Sequence, residues 1–138
     1  MTRIDFYLLS QPDQHHFACR VIEKAYLQKH QIYVSLPDTT TTEQFNDLLW
    51  TFGDISFIPH TILNKETTPD IPVILSHENP PAYYQDILIN LTDELPTTYK
   101  QFKRVIEFIP TDEHKKALAR QRYAEYREQG CELQMHKV

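Results

Sequence analysis

The chain has 138 residues and a formal net charge of -5, from 14 Lys and Arg against 19 Asp and Glu. A length of this order fits one domain, residues 1–138, that removes roughly 68% of the unfolded chain's surface from water. The acidic balance repels phosphate backbones, so DNA is expected to be approached only indirectly, through another protein, and two distant cysteines without CxxC or Cys/His spacing exclude a zinc finger or a disulfide framework.

IDFYLL, residues 4–9, reads as the opening strand. Residues 12–30 follow as a helix, because Phe17, Val21, Ile22, Ala25 and Tyr26 recur at three- and four-residue spacing and make one apolar face that wants a sheet beneath it. Cys19 falls among that face and reads as a small buried hydrophobe. His15 and His16, adjacent and therefore diverging, read as solvated residues of the helix start and not as a metal pair. IYVSL, residues 32–36, is a short β-rich run, after which the threonines at 39–42 can cap a helix over 42–52 that carries Phe45, Leu48 and Leu49 inward. PVILS at 72–76, DILINL at 86–91 and RVIEFI at 104–109 add three strands, and a helix over 112–128 closes the chain. Strands interleaved with helices predict an α/β fold, a three-layer Rossmann-like sandwich around a mostly parallel sheet. The N-terminus is too poor in consecutive apolar residues for a signal peptide, and no run approaches the length of a membrane span, so a cytoplasmic protein without a membrane anchor is expected.

In a doubly wound fold that binds nucleotides, the first strand runs into a glycine-rich turn that lets backbone amides approach phosphate. Here that turn reads SQPDQHH, and the two glycines, Gly53 and Gly130, lie elsewhere. The fold is therefore expected to lack the glycine-rich loop and to carry no cofactor. A vestigial α/β nucleotide-binding enzyme, its site built without glycine, is the competing reading. GxSxG, HExxH and paired-carboxylate motifs are absent from the sequence, so no catalytic residue is assigned.

Two stretches carry more signal. LLWTFGDISFIPH, residues 48–60, crowds aromatic and apolar residues around a Gly-Asp break. Leu48 and Leu49 can continue a core stripe, but Trp50, Phe52, Phe57, Ile58 and Pro59 cannot all turn inward, and an exposed patch of this composition suits a protein interface. Packing of these side chains into the domain's own core is the alternative. In the last helix Lys116, Arg120, Tyr123 and Arg127 are spaced four, three and four, which lines them up on one face as a basic strip on an acidic chain. Such a strip fits a carboxylate- or phosphate-bearing partner. An ordinary solvated face, with Glu125 and Glu128 offsetting the charge, is the alternative there.

Taken in order, DFYLL, FACRVIEKAY, LLWTFGDISFIPH, ILINL, RVIEFIP and ALARQRYAEYREQG resemble the chi subunit family of bacterial DNA polymerase III over nearly the whole chain. The resemblance implies a Rossmann-like fold without a nucleotide site and a non-catalytic adaptor with two surfaces. One binds the psi subunit of the clamp-loader complex, and the other takes the acidic C-terminal tail of single-stranded DNA-binding protein, linking the polymerase to coated lagging-strand template. It places Trp50 and Phe57, with Pro59 and Ile58 completing the patch, on the psi surface, which in the family can instead engage a DNA-repair helicase. It places Ile109, Arg120, Tyr123 and Arg127 at the tail site, to which the basic strip adds Lys116. A lysine of the family pattern is matched here by Ala124, followed by Glu125, so weak and salt-sensitive tail binding is expected unless Lys115 or Lys116 compensates.

Overall fold

A computed structural model describes residues 2–52 and 57–138. The elements, in chain order, are β1 (Arg3–Leu8), α1 (Gln14–Leu27), β2 (Ile32–Ser35), α2 (Thr39–Thr51), β3 (His60–Ile62), β4 (Val73–Ser76) and β5 (Ile87–Asn90). A single 3-10 turn (Tyr99–Gln101), β6 (Arg104–Ile109), α3 (Glu113–Glu128) and β7 (Glu132–Lys137) follow. The strands form one seven-stranded sheet in the order β3-β4-β2-β5-β6-β1-β7, and every neighbouring pair is parallel.

A parallel sheet must be covered on both faces, and its inner strands are correspondingly buried: all four residues of β4 and of β5 are, Ser76 and Asn90 among them. On one face Ile32, Val34, Val73, Leu75, Ile87 and Ile89 meet Ala18, Cys19, Ile22 and Ala25 of α1 and Phe45 and Leu49 of α2. On the other, the alternate strand residues Phe6, Tyr33, Ile74, Leu88 and Val105 meet Ala119 and Tyr126 of α3. The expected three-layer α/β sandwich is observed, with a sheet that is parallel throughout.

Aspartates start all three α-helices among the described residues, each accepting a backbone N–H of the first turn: Asp13 from His16 at 3.0 Å, Asp38 from Thr41 at 2.7 Å and Asp112 from Lys115 at 2.9 Å. The threonine cluster therefore lies inside α2 and not at its cap, a position that Asp38 holds. The first helix is shorter than its spacing suggested. It stops at Leu27, where Lys29 turns left-handed at φ 67 and the N–H of His30 donates to the Ala25 carbonyl at 3.1 Å. Gly130, at φ 80, ends α3 by the same device, with the N–H of Cys131 donating to the Tyr126 carbonyl at 3.2 Å.

Two edge strands escaped the sequence reading. β3 is three residues long, and β7 follows the expected last helix, in residues to which no element was assigned. β7 is mostly exposed and polar on one side, so its apolar alternation reduces to Leu133 and Met135.

Candidate protein-binding surfaces

The aromatic stretch begins at the C-terminal end of α2 and resumes, beyond residues 53–56, in the extended segment that enters β3; the Gly53-Asp54 break lies outside the described residues. Trp50 is 50% exposed and Phe57 64%, and their rings meet at 5.1 Å between centroids. Ile58 corrects the expectation: it is 3% exposed and packs in the core beneath α1 and α2, because successive residues of an extended chain point to opposite sides and Phe57 takes the outer one. Pro59 is half-buried, and Phe52 turns back to meet the His16 ring edge-on at 5.2 Å. His60, not singled out from the sequence, supports the patch from below. Its Nδ1–H donates to the Ile58 carbonyl at 2.6 Å, and its ring lies 4.4 Å from that of Trp50.

The second surface lies on the opposite side of the sheet, against α3. Its helix is pinned by a buried polar cluster: Glu107 of β6, fully buried, accepts from Arg122 Nε at 3.1 Å, Tyr126 Oη at 2.8 Å and Asn90 Nδ2 at 2.8 Å. Burial pushes the Glu107 carboxyl above its ordinary range, and the Arg122 guanidinium opposes that rise. With Ala119, Arg122 and Tyr126 turned to the sheet, helical periodicity sends Arg120 and Arg127 outward. Tyr123 sits between, half-buried, its ring edge-on to Phe6 at 5.2 Å.

These constraints form a pocket of about 250 Å3 lined by Leu8, Ile109, Arg120, Tyr123 and Met135. Three of the residues expected at a tail site, Ile109, Arg120 and Tyr123, are thus brought together from β6 and α3. Lys116 and Arg127 do not line it; they flank it along the helix, Lys116 facing Glu113 at 3.8 Å, while among the described residues Arg120 and Arg127 make no salt bridge. Lys115 pairs with Asp93 at 2.6 Å, both side chains half-exposed. Leu8 and Met135 were not found from the sequence. Leu8 pairs with Ile109, and Phe6 with Met135, only once β1 lies between β6 and β7.

A phosphate site fares worse. The first amides of α1 are already capped by Asp13, and the cleft of about 380 Å3 at the C-terminal ends of β2, β4 and β5, where open α/β sheets hold ligands, is lined by Glu78, Asp93 and Glu94 with no Lys or Arg. Carboxylates there repel phosphate. The expected solvated histidines are half corrected: His16 is exposed, but His15 is half-buried edge-on to Phe45 at 5.5 Å. Burial lowers its pKa. Cys19 is buried as expected, and burial pushes its thiol up to about 12, which leaves it inert as a nucleophile. No helix among the described residues is long and apolar enough to cross a membrane.

The crystal structure of T4 UvsW matches 99% of this chain, and 41% of its own, at a TM-score of 0.71 and 9% identity, a likeness of fold alone. The DNA polymerase III subunit chi of Pseudomonas aeruginosa is 36% identical over 100% of this chain and 98% of its own, and that of Escherichia coli K12 is 24% identical over 96% of each. The family described as DNA polymerase III chi subunit, HolC, matches residues 1–134. An α/β sandwich with a tyrosine-and-arginine pocket on its last helix, matched in sequence over nearly its whole length, belongs to the DNA polymerase III chi subunit family.

Proposed function

We propose that this accessory subunit of DNA polymerase III is a non-catalytic adaptor working in the cytoplasm. It holds the psi subunit of the clamp loader through Trp50 and Phe57 and takes the acidic C-terminal tail of single-stranded DNA-binding protein on α3. The observation that carries the reading is the convergence of Ile109, Arg120 and Tyr123 on one pocket, flanked by Lys116 and Arg127, in a chain of net charge -5. A free arginine beside an apolar pocket suits a peptide that ends in an apolar residue and carries carboxylates behind it. On the other face, a half-exposed tryptophan in tilted contact with an exposed phenylalanine is the composition of an interface anchor.

Calorimetric titration with the tail of the cognate single-stranded DNA-binding protein tests the reading, run beside Arg120→Ala and Arg127→Ala. Binding by the unsubstituted protein, lost in both variants with the fold intact, supports it. With Lys115 engaged by Asp93 and Ala124 in place of a lysine, affinity falls steeply with salt. A titration insensitive to salt counts against the electrostatic half of the reading.

A further inference from the structure

We propose that the face of the sheet over β1 and β7, on the side of α1, binds single-stranded DNA, with Arg3 and Arg104 on its phosphates and the stacked rings of His136 and Tyr7 beneath a base. The proposal is independent of the adaptor reading. A parallel sheet is ordinarily covered on both faces, and here one corner is not. The buried residues of α1 and α2 pack on β2, β4, β5 and β6; among the described residues β7 adds nothing to that apolar layer, and β1 adds only the half-buried Tyr7.

What stands on the uncovered corner is polar and mostly cationic. Arg3 and Arg104 are direct neighbours across the pairing of β1 with β6, at 41% and 28% side-chain exposure. Like charges so placed repel, and one carboxylate holds them. Asp5, fully buried, accepts from Arg3 Nε at 3.1 Å, Arg104 Nε at 2.5 Å and His136 Nε2 at 2.8 Å. One arginine neutralises one carboxylate, so the second is surplus. Arg104 Nη2 donates to Tyr7 Oη at 3.4 Å, and Nη1 of both arginines has no partner among the described residues. Phe17 brings one flank of α1 against Tyr7, and on that flank Arg20 and Lys24 are exposed and form no salt bridge among the described residues. These four cations, against Asp5, Glu132 opposite Arg3 and Asp13 at the α1 cap, leave the corner positive on a chain of net charge -5. Such a corner gathers phosphate locally where the whole chain repels it.

The aromatic part selects among anionic partners. His136 stacks on Tyr7 at 4.8 Å and 22° and keeps 36% of its side chain exposed. An outward ring is a platform for a base, and a base is free to stack on it only in a single strand. An acidic peptide would use the arginines and leave the ring idle. Beyond the platform, at the end of β1, lies a pocket of about 240 Å3 lined by Leu9, Phe17 and Arg20 among others, in the path of the next base.

Fluorescence anisotropy of a labelled oligothymidylate titrated with the full chain in rising salt tests the proposal. Log affinity falls against log salt with a slope of about -3, roughly 0.7 for each of four phosphate contacts. Arg20→Ala combined with Lys24→Ala, both at exposed positions, keeps the fold and brings the slope to about -1.5. An abasic strand of the same length binds about tenfold less tightly, the worth of one stacked base. Absence of binding at low salt overturns the proposal, as does an abasic strand that binds equally well. Binding lost in Arg120→Ala with Arg127→Ala but untouched by the Arg20 and Lys24 substitutions overturns it by placing the DNA on α3. An oligoglutamate peptide of equal charge that binds this face more tightly than the oligonucleotide overturns it in favour of a protein partner.

Discussion

Arg120 and Arg122 stand two positions apart on α3, and removing them is expected to do opposite things. Arg122 is buried at 7% side-chain exposure, its Nε on Glu107 at 3.1 Å and its Nη1 donating to the Asp93 carbonyl at 3.1 Å. Arg122→Ala leaves the fully buried Glu107 with two neutral donors, Tyr126 and Asn90, and no counter-charge. Removing one partner of such a pair costs about 3–5 kcal/mol, a large part of the stability of a domain this size. Arg120→Ala, at an exposed position without a salt bridge, changes stability by about 0.5 kcal/mol or less. Urea unfolding followed by circular dichroism reads both. The double variant Arg122→Met with Glu107→Gln removes both charges and recovers most of the loss, since the cost lies in the orphaned charge and not in the missing bridge. Equal stability of Arg120→Ala and Arg122→Ala would refute the assignment of one arginine to the core and the other to the partner.

Trp50→Ala is expected to weaken binding of the psi subunit by about 2 kcal/mol or more while the protein stays folded, because the indole is half exposed; unchanged affinity removes the anchor role. Burial works to raise the pKa of Asp5, but hydrogen bonds from His136, Arg104 and Arg3 outweigh it and hold the carboxyl below its ordinary value. Its contribution to stability is therefore complete above the unfolded pKa of about 3.9 and is lost as pH falls through the lower folded value. Acid unfolding followed from neutral pH checks this, and Asp5→Asn, less stable at neutral pH, has a shallower acid limb. Lys29→Gly relieves a left-handed backbone and raises stability by about 0.5–1 kcal/mol, the strain less the freedom glycine adds to the unfolded chain; a lower melting temperature contradicts it.

The family was legible in the sequence because its motifs are contiguous stretches, and the helices were legible because a periodicity of three and four residues is a local property. Strands interleaved with helices announced a sheet covered on both faces. The two short edges were lost for the converse reason: β3 has three residues and β7 mixes Glu132, Gln134 and His136 into its alternation. Nothing local marks such runs as strands, since an edge needs only one neighbour and one apolar side.

What the sequence determined by itself was the layering, the absence of a glycine-rich turn after the first strand and the face of α3 that carries Lys116, Arg120, Tyr123 and Arg127. The tertiary structure decided which side of the chain Ile58 takes, which arginine of α3 is spent on Glu107 and which is left for a partner, and that Leu8 and Met135 complete the pocket. These depend on parallel pairing of segments far apart in the chain, Leu8 beside Ile109 and Phe6 beside Met135. Periodicity assigns a residue to a face of its own element, but only the packed sheet determines what that face meets.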